Sequence, residues 1–259
     1  MTFRTDLLAV LALGLALRVT AADPVASYPF DGSDRATDST GRLPDMALTR
    51  GAIEPGPALG GVRLDDAAFS TSRPVPLTHA FTVSVWFRPL AFGRKALGRD
   101  WPNGMVASSG SGYYDGWRLV VQEPDRFRLV FEIGRTNGSV SVTAPEGLST
   151  SVWHHVAATW SPAGDAGLGH MRLYVDGRLE AESREAVAPA LPPNAPLSIG
   201  YTDFGVGSLL MDVAEFAVFD QALDADAIAG RALAGDFAQN LATPDALADL
   251  QGRRAMLLE

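Results

Sequence analysis

The chain has no cysteine in 259 residues. Disulfides, a thiolate nucleophile and cysteine-held metal centres are therefore excluded. It also has no excess of positive charge: 21 Lys and Arg against 30 Asp and Glu give a net charge of −9, with no basic run. Phosphate backbones and anionic membranes are gripped by clustered cations, so nucleic acid and lipid surfaces are not expected partners. A long hydrophobic run is missing too. The apolar stretch from Leu7 to Leu17 is far shorter than the roughly 20 residues that cross a bilayer.

That short run has a different meaning. Arg4 precedes it, and Val19-Thr20-Ala21-Ala22 follows with small side chains where a signal peptidase reads. Cleavage after Ala21 or Ala22 is expected, with residues 1–22 as signal peptide and an exported mature chain, periplasmic or extracellular, that is not inserted in a membrane. With no cysteine after the run, a lipid-anchored form is not expected. Export without cross-links is common among bacterial proteins. A chain of this length buries roughly 70% of its unfolded surface and needs no staple.

What is present is a succession of short alternating segments. Phe81, Val83, Val85 and Phe87 alternate with Thr82, Ser84, Trp86 and Arg88, a period of two that sends one row inward. Trp117, Leu119 and Val121 repeat it, as do Phe127, Leu129, Phe131 and Ile133, and Met171, Leu173 and Val175. Asp176-Gly177 reads as a two-residue hairpin turn into Arg178, and Asn137-Gly138 as another. After the Pro-rich loop from Ala188 to Pro196, Leu197 to Gly200 reads as a further strand. No helical segment separates the strands, which excludes a parallel α/β sheet and predicts an all-β, two-sheet antiparallel sandwich.

Helix is expected only at the end. Asp224 can cap a helix through Ile228 to Leu233, stopped by Gly235, with Leu223 and Ile228 as a hydrophobic staple. Thr243-Pro244-Asp245 starts a second, amphipathic helix carrying Leu247, Leu250, Arg254 and Leu257. The expected division is a sandwich over residues 23–222 and a helical tail over 223–259.

Several segments resemble a known family. Tyr28-Pro29-Phe30-Asp31-Gly32 with Asp38-Ser39-Thr40-Gly41 is similar to the opening of the laminin-G-like, concanavalin A-like jelly rolls. Phe81 to Phe87, Trp153-His154-His155-Val156-Ala157, Arg172 to Gly177 and Ala214 to Leu223 resemble later strands of that family, in its order. The resemblance implies a jelly-roll topology and an accessory or adhesive role toward glycans or proteins. It also implies that some members hold calcium at the rim. It does not imply a ligand, because the loops carry function on such scaffolds.

Candidate chemistry is sparse. His154 and His155 are neighbours on a strand and point to opposite faces, so they cannot share a metal or a proton relay. One is expected to pack in the sheet and the other to be solvated. Sandwich glycosidases need two carboxylates about 5–10 Å apart. Asp212 and Glu215 are an odd number of residues apart and diverge unless a bulge intervenes. Ser109-Gly110-Ser111-Gly112 lacks the strand-turn-helix setting of a nucleophile elbow. No catalytic residue is assigned, and an enzyme is not expected.

Asp31, Asp34 and Asp38 with their Ser and Gly neighbours are read as turn residues, with a calcium site at Asp31 and Asp38 as the minority alternative. No other cofactor is expected. The stretch from Arg94 to Asp115 reads as one long loop holding Trp101, Asn103, Tyr113, Tyr114 and Asp115. Aromatic faces stack on sugar rings and amides and carboxylates bond hydroxyls, so these five are candidate ligand residues. The alternative, that the aromatics fold back over a sheet edge, stays open. The functional expectation is a non-catalytic module binding a polysaccharide or a surface protein. A structural or assembly domain is the alternative, and an unrecognised glycan-processing enzyme the third.

Overall fold

A computed structural model describes residues 22–55, 61–75, 77, 79–93, 103–110, 115–135, 138–163, 168–187, 195–201 and 207–234. The chain is a two-sheet antiparallel β-sandwich with jelly-roll character and one short helix. The first sheet runs in the order β12 (Arg178–Val187), β11 (Leu168–Val175), β10 (His154–Ala163), β5 (Phe81–Phe92), β14 (Leu209–Phe219). At its end, β1 (Ala26–Pro29) also pairs with β14. The second sheet runs β4 (Val62–Pro74), β13 (Pro196–Gly200), β6 (Asn103–Ser109), β7 (Trp117–Gln122), β8 (Arg128–Arg135), β9 (Gly138–Gly147). β3 (Met46–Pro55) flanks β4, and β2 (Arg35–Ala36) flanks β3. A short pairing of Met211 to Val213 with Val62 to Leu64 passes the ladder from β14 to β4. At the other end of the path, β9 lies against β12.

The alternating segments form strands because their inward rows meet between the sheets. Phe81 of β5 has its ring 6.0 Å from Trp117, 6.4 Å from Phe131 and 6.2 Å from Trp160, which joins β5 and β10 to β7 and β8 across the core. Each such pair adds roughly 0.5–1.5 kcal/mol beyond the apolar area it buries. The expected hairpin turn is present. Asp176 and Gly177 have φ of 50° and 80°, the left-handed pair that matches the twist of β11 and β12. Asn137 lies outside the described residues.

One correction concerns the stretch taken as a single long loop. It contains β6, a strand buried between β13 and β7. Gly104 to Ser109 is buried throughout, so no in–out alternation marks it as a strand.

The C-terminal helix α1 (Ala225–Ala234) is part of the packed unit. Asp224 Oδ1 accepts the Ala227 N–H at 2.8 Å, the expected cap. Leu223 and Ile228 pack with Ala157, Tyr174, Ala217 and Phe219 on the outer face of the first sheet. The Thr82 hydroxyl donates to the Gln221 carbonyl at 2.7 Å and accepts the Leu223 N–H at 2.8 Å, pinning the connection to β5. Gly177 lets the helix sit on the hairpin turn, because a Cβ there would be 3.1 Å from Ala229 Cα. The packed unit thus extends past residue 222. The second expected helix, from Thr243, lies outside the described residues.

Candidate functional site

Trp101, Tyr113 and Tyr114 lie outside the described residues. Asn103 and Asp115 do not share a platform. They sit at opposite ends of the β6–β7 hairpin, separated by the seven-residue strand β6, a span of roughly 20 Å. Asn103 Oδ1 accepts the Gly207 N–H at 2.9 Å and ties β6 to the start of β14. Asp115 lies against Gly110, where a Cβ would be 2.9 Å from its Oδ1.

Asp31 and Asp38 have separate tasks. Asp31 is exposed and accepts the Ser33 N–H at 3.0 Å. Asp38 is buried and takes the N–H groups of Ser27, Thr40, Arg42 and Leu43 and the Thr40 hydroxyl, all within 3.1 Å. Burial works to raise its pKa, but the donors of Leu43, Ser27 and Thr40 outweigh it and hold the carboxyl below its ordinary value. A carboxylate surrounded by N–H donors presents no oxygen cage, so these residues do not fit a calcium ion. Among the described residues, no group of three His, Cys, Asp or Glu could hold a metal.

Both histidines of the Trp153 segment are buried, which corrects the expectation that one is solvated. His154 Nδ1 meets Asp176 Oδ2 at 2.9 Å, and the His155 N–H donates to Asp176 Oδ1 at 3.0 Å, so one turn residue holds both. The His155 ring is 5.3 Å from that of Trp86 on the outer face of the first sheet. Burial pushes its pKa down from 6.5 to about 4, nearby Arg231 adds to the shift, and Asp176 opposes it.

The carboxylates of β14 are both engaged by arginines. A bulge between Val213 and Glu215 sets Asp212 opposite Arg88 and Glu215 opposite Trp86, so both occupy the outer face. Neither is poised as an acid or a nucleophile. Asp212 is fully buried and receives Arg63 Nε at 2.8 Å and Arg88 Nε at 2.8 Å. Glu215 receives Arg231 Nη2 at 3.1 Å. Among the described residues we find no catalytic carboxylate pair.

The outer face of the second sheet is built differently. Ser70, Ser198, Ser108, Arg118, Glu132 and Ser141 are successive cross-strand partners from β4 to β9, one polar row across six strands. Ser70 and Ser198 share a hydrogen bond of 2.8 Å, and Arg118 meets Glu132 at 2.9 Å. The neighbouring row is apolar: Met105, Val120 and Val130. Beyond it, Gln122 and Arg128 are partly exposed. The polar row is buried at Ser198, Ser108 and Arg118, the Met105, Val120 and Val130 strip is buried as well, and the face opens only at Glu132, Ser141, Gln122 and Arg128. That open end can bond hydroxyls. Sequence reading missed it. The signal was the outward parity of Arg118 and Glu132 on adjacent strands, and the pairing needed to align them spans β6, which the sequence hides.

A family model described as the concanavalin A-like lectin/glucanases superfamily matches residues 60–229. The chain belongs to this superfamily. A curated relative, the mouse "Sushi, von Willebrand factor type A, EGF and pentraxin domain-containing protein 1", is 26% identical over 136 residues, 49% of this chain and 3% of that protein. The chain therefore spans only a small part of that relative. The sandwich is similar to the botulinum neurotoxin type G receptor binding domain (TM-score 0.60, 14% identity, 82% of this chain and 51% of that one). It is also similar to domain 4 of AbnA, a GH43 extracellular arabinanase from Geobacillus stearothermophilus, in complex with arabinotriose. There the TM-score is 0.64 at 17% identity, covering 82% of this chain and 99% of that domain. At these identities the likeness is one of fold. No helix among the described residues is long and apolar enough to cross a membrane.

Proposed function

We propose that the chain is an exported, non-catalytic module that binds a polysaccharide through the outer face of its second sheet. The observation that carries this reading is the open end of the cross-strand row, Glu132 and Ser141, with the partly exposed Gln122 and Arg128 on the same face. Sugar rings offer hydroxyls at their rim, and these carboxylate, hydroxyl, amide and guanidinium groups can bond them. The solved arabinotriose complex of the AbnA domain supports a glycan over a surface protein as ligand. Trp101, Tyr113 and Tyr114 flank β6 in sequence, and we propose them as stacking residues. Export follows from residues 1–22, and the expected product begins at Ala22 or Asp23.

The test is a polysaccharide and glycan array on the purified chain, followed by Gln122→Ala, Arg128→Ala and Tyr113→Ala. Binding that falls at least about tenfold in these variants, with melting temperature nearly unchanged, is the expected result. A wild-type chain that binds no glycan, or variants that bind as well as wild type, overturns it. Mass spectrometry of the exported fraction checks the terminus, and an intact Met1 there contradicts export by cleavage.

A further inference from the structure

The outer face of the first sheet carries a second row that the reading above does not use. Trp153 lies just before β10, and its ring faces the Arg88 guanidinium at 5.7 Å. Arg88 is the cross-strand partner of Asp212, Asp212 of Arg63, and Arg63 of Glu54. The row therefore reads aromatic, cation, anion, cation, anion across four strands. Its middle anion is fully buried, while the Arg63 and Arg88 side chains keep 34% and 20% of their surface in solvent. Both guanidiniums turn the Nε/Nη2 edge to Asp212, leaving Nη1 away from that carboxylate. Two cations share one buried anion, and the fourth charge, Glu54, is 74% exposed and reaches Arg63 only at 4.0 Å. Trp153 is half-buried against Trp86 and Ala214, and Val152 beside it is exposed.

A buried ion cluster of this kind is costly to build and is often replaceable by apolar packing without loss of stability. Its distinctive product here is geometric. Asp212 fixes two guanidiniums, so their ordering cost is met during folding rather than on binding. We propose that Arg63, Arg88 and Trp153 form a second ligand surface, separate from the second-sheet face, that takes a carboxylated sugar ring. The ring covers the Trp153 indole, and its carboxylate lies on the exposed guanidinium ends, displacing Glu54. Arginine favours this role because its planar fork matches a carboxylate and stacks with an aromatic face.

The experiment titrates the full chain with trigalacturonic acid and with its methyl ester, which keeps the rings and removes the charge. Binding is followed by the NMR signals of Trp153 Nε1–H and Arg88 Nε–H. The expected result is saturable shifts with the acid, binding at least about tenfold weaker for the ester, and further weakening as salt is raised. Trp153→Ala abolishes the shift of Arg88 Nε–H. Glu54→Gln, at an exposed position that leaves the Asp212 cluster intact, tightens binding by about threefold or more, which a purely structural charge row would not do. Absence of shifts at ~10 mM acid overturns the proposal, as do equal affinity for acid and ester or shifts confined to Arg118 and Arg128. Binding of a neutral glycan to the second-sheet face is scored separately, so failure here leaves that reading intact and the converse holds.

Discussion

The two outer faces of the sandwich solve the same problem in opposite ways. Each sheet must do something with the row of side chains that points away from the core. The first sheet covers part of its row with α1, so Ala157, Tyr174, Ala217 and Phe219 form a small second core with Leu223 and Ile228, packs Trp86 with Ala214 and Trp153 separately, and neutralises the remainder with the Arg63–Asp212–Arg88 cluster. The second sheet lines hydroxyls in register, buries Met105, Val120, Val130 and Arg118 on the same face, and leaves the row open only toward β9. The lesson is that outward parity does not decide exposure.

The sharpest way to break this contrast is Asp212→Ala. It strands two guanidiniums against a buried patch and is expected to cost about 3–5 kcal/mol in denaturant unfolding. A loss under about 1 kcal/mol would mean the cluster is dispensable and the two faces are alike in stability. Acid gives the next largest effect. His155 has a pKa near 4 when folded and an ordinary value of 6.5 when the chain unfolds. The unfolded state therefore gains the proton first as pH falls. The stability of the neutral buried ring is complete above about 6.5, declines between 6.5 and 4, and is lost below, on the order of 3 kcal/mol. His155→Phe should flatten that part of the pH profile. Amide exchange should show the loss at β10 and α1 before the serine row responds, since no histidine lies in that row.

Two smaller changes sharpen the comparison. Asp224→Ala removes the cap of α1 and should cost about 1 kcal/mol in thermal or denaturant melts, felt on the first-sheet face alone. Ser70→Ala deletes the 2.8 Å bond to Ser198 and should cost no more than about 1 kcal/mol. If Ser70→Ala proves the more damaging of the two, the second-sheet row is a structural seam rather than an adaptable surface.

Much of the frame was readable from residue order because it rests on local rules. β5, β7, β8 and β11 declare themselves by alternation, Asp176-Gly177 by its turn chemistry, and α1 by Asp224 and its staple. The opening and closing motifs carried the family. What escaped depends on contacts distant in sequence or on irregularity. β6 is apolar or small on both faces, so no period marks it. The bulge near Ala214 reverses the parity that separates Asp212 from Glu215. Asp212 finds Arg63 across 149 residues, a pairing that no local pattern encodes. His155 is buried beside Trp86 with Arg231 of α1 nearby, a setting that strand parity alone cannot convey. For the ligand surface, the sequence offered aromatic loop residues, whereas the described structure offers a row of hydroxyls and ions on strands.

The meeting of β9 and β12 has a consequence beyond shape. A sheet that ends in open air offers unpaired N–H and C=O groups to any neighbouring chain, a common route to edge-to-edge aggregation. Here the two end strands of the path shield each other. β12 also carries Glu180, Glu182 and Arg184, charges that discourage addition of a further strand. Of the strands off the main path, β1 has four residues and β2 two, while the ten-residue β3 meets β2 only at Met46 and Ala47, and the rest of its edge carries the exposed charges Arg50 and Glu54. A chain with no disulfide thus discourages its backbone from recruiting others through the mutual cover of β9 and β12 and the charges on its edges.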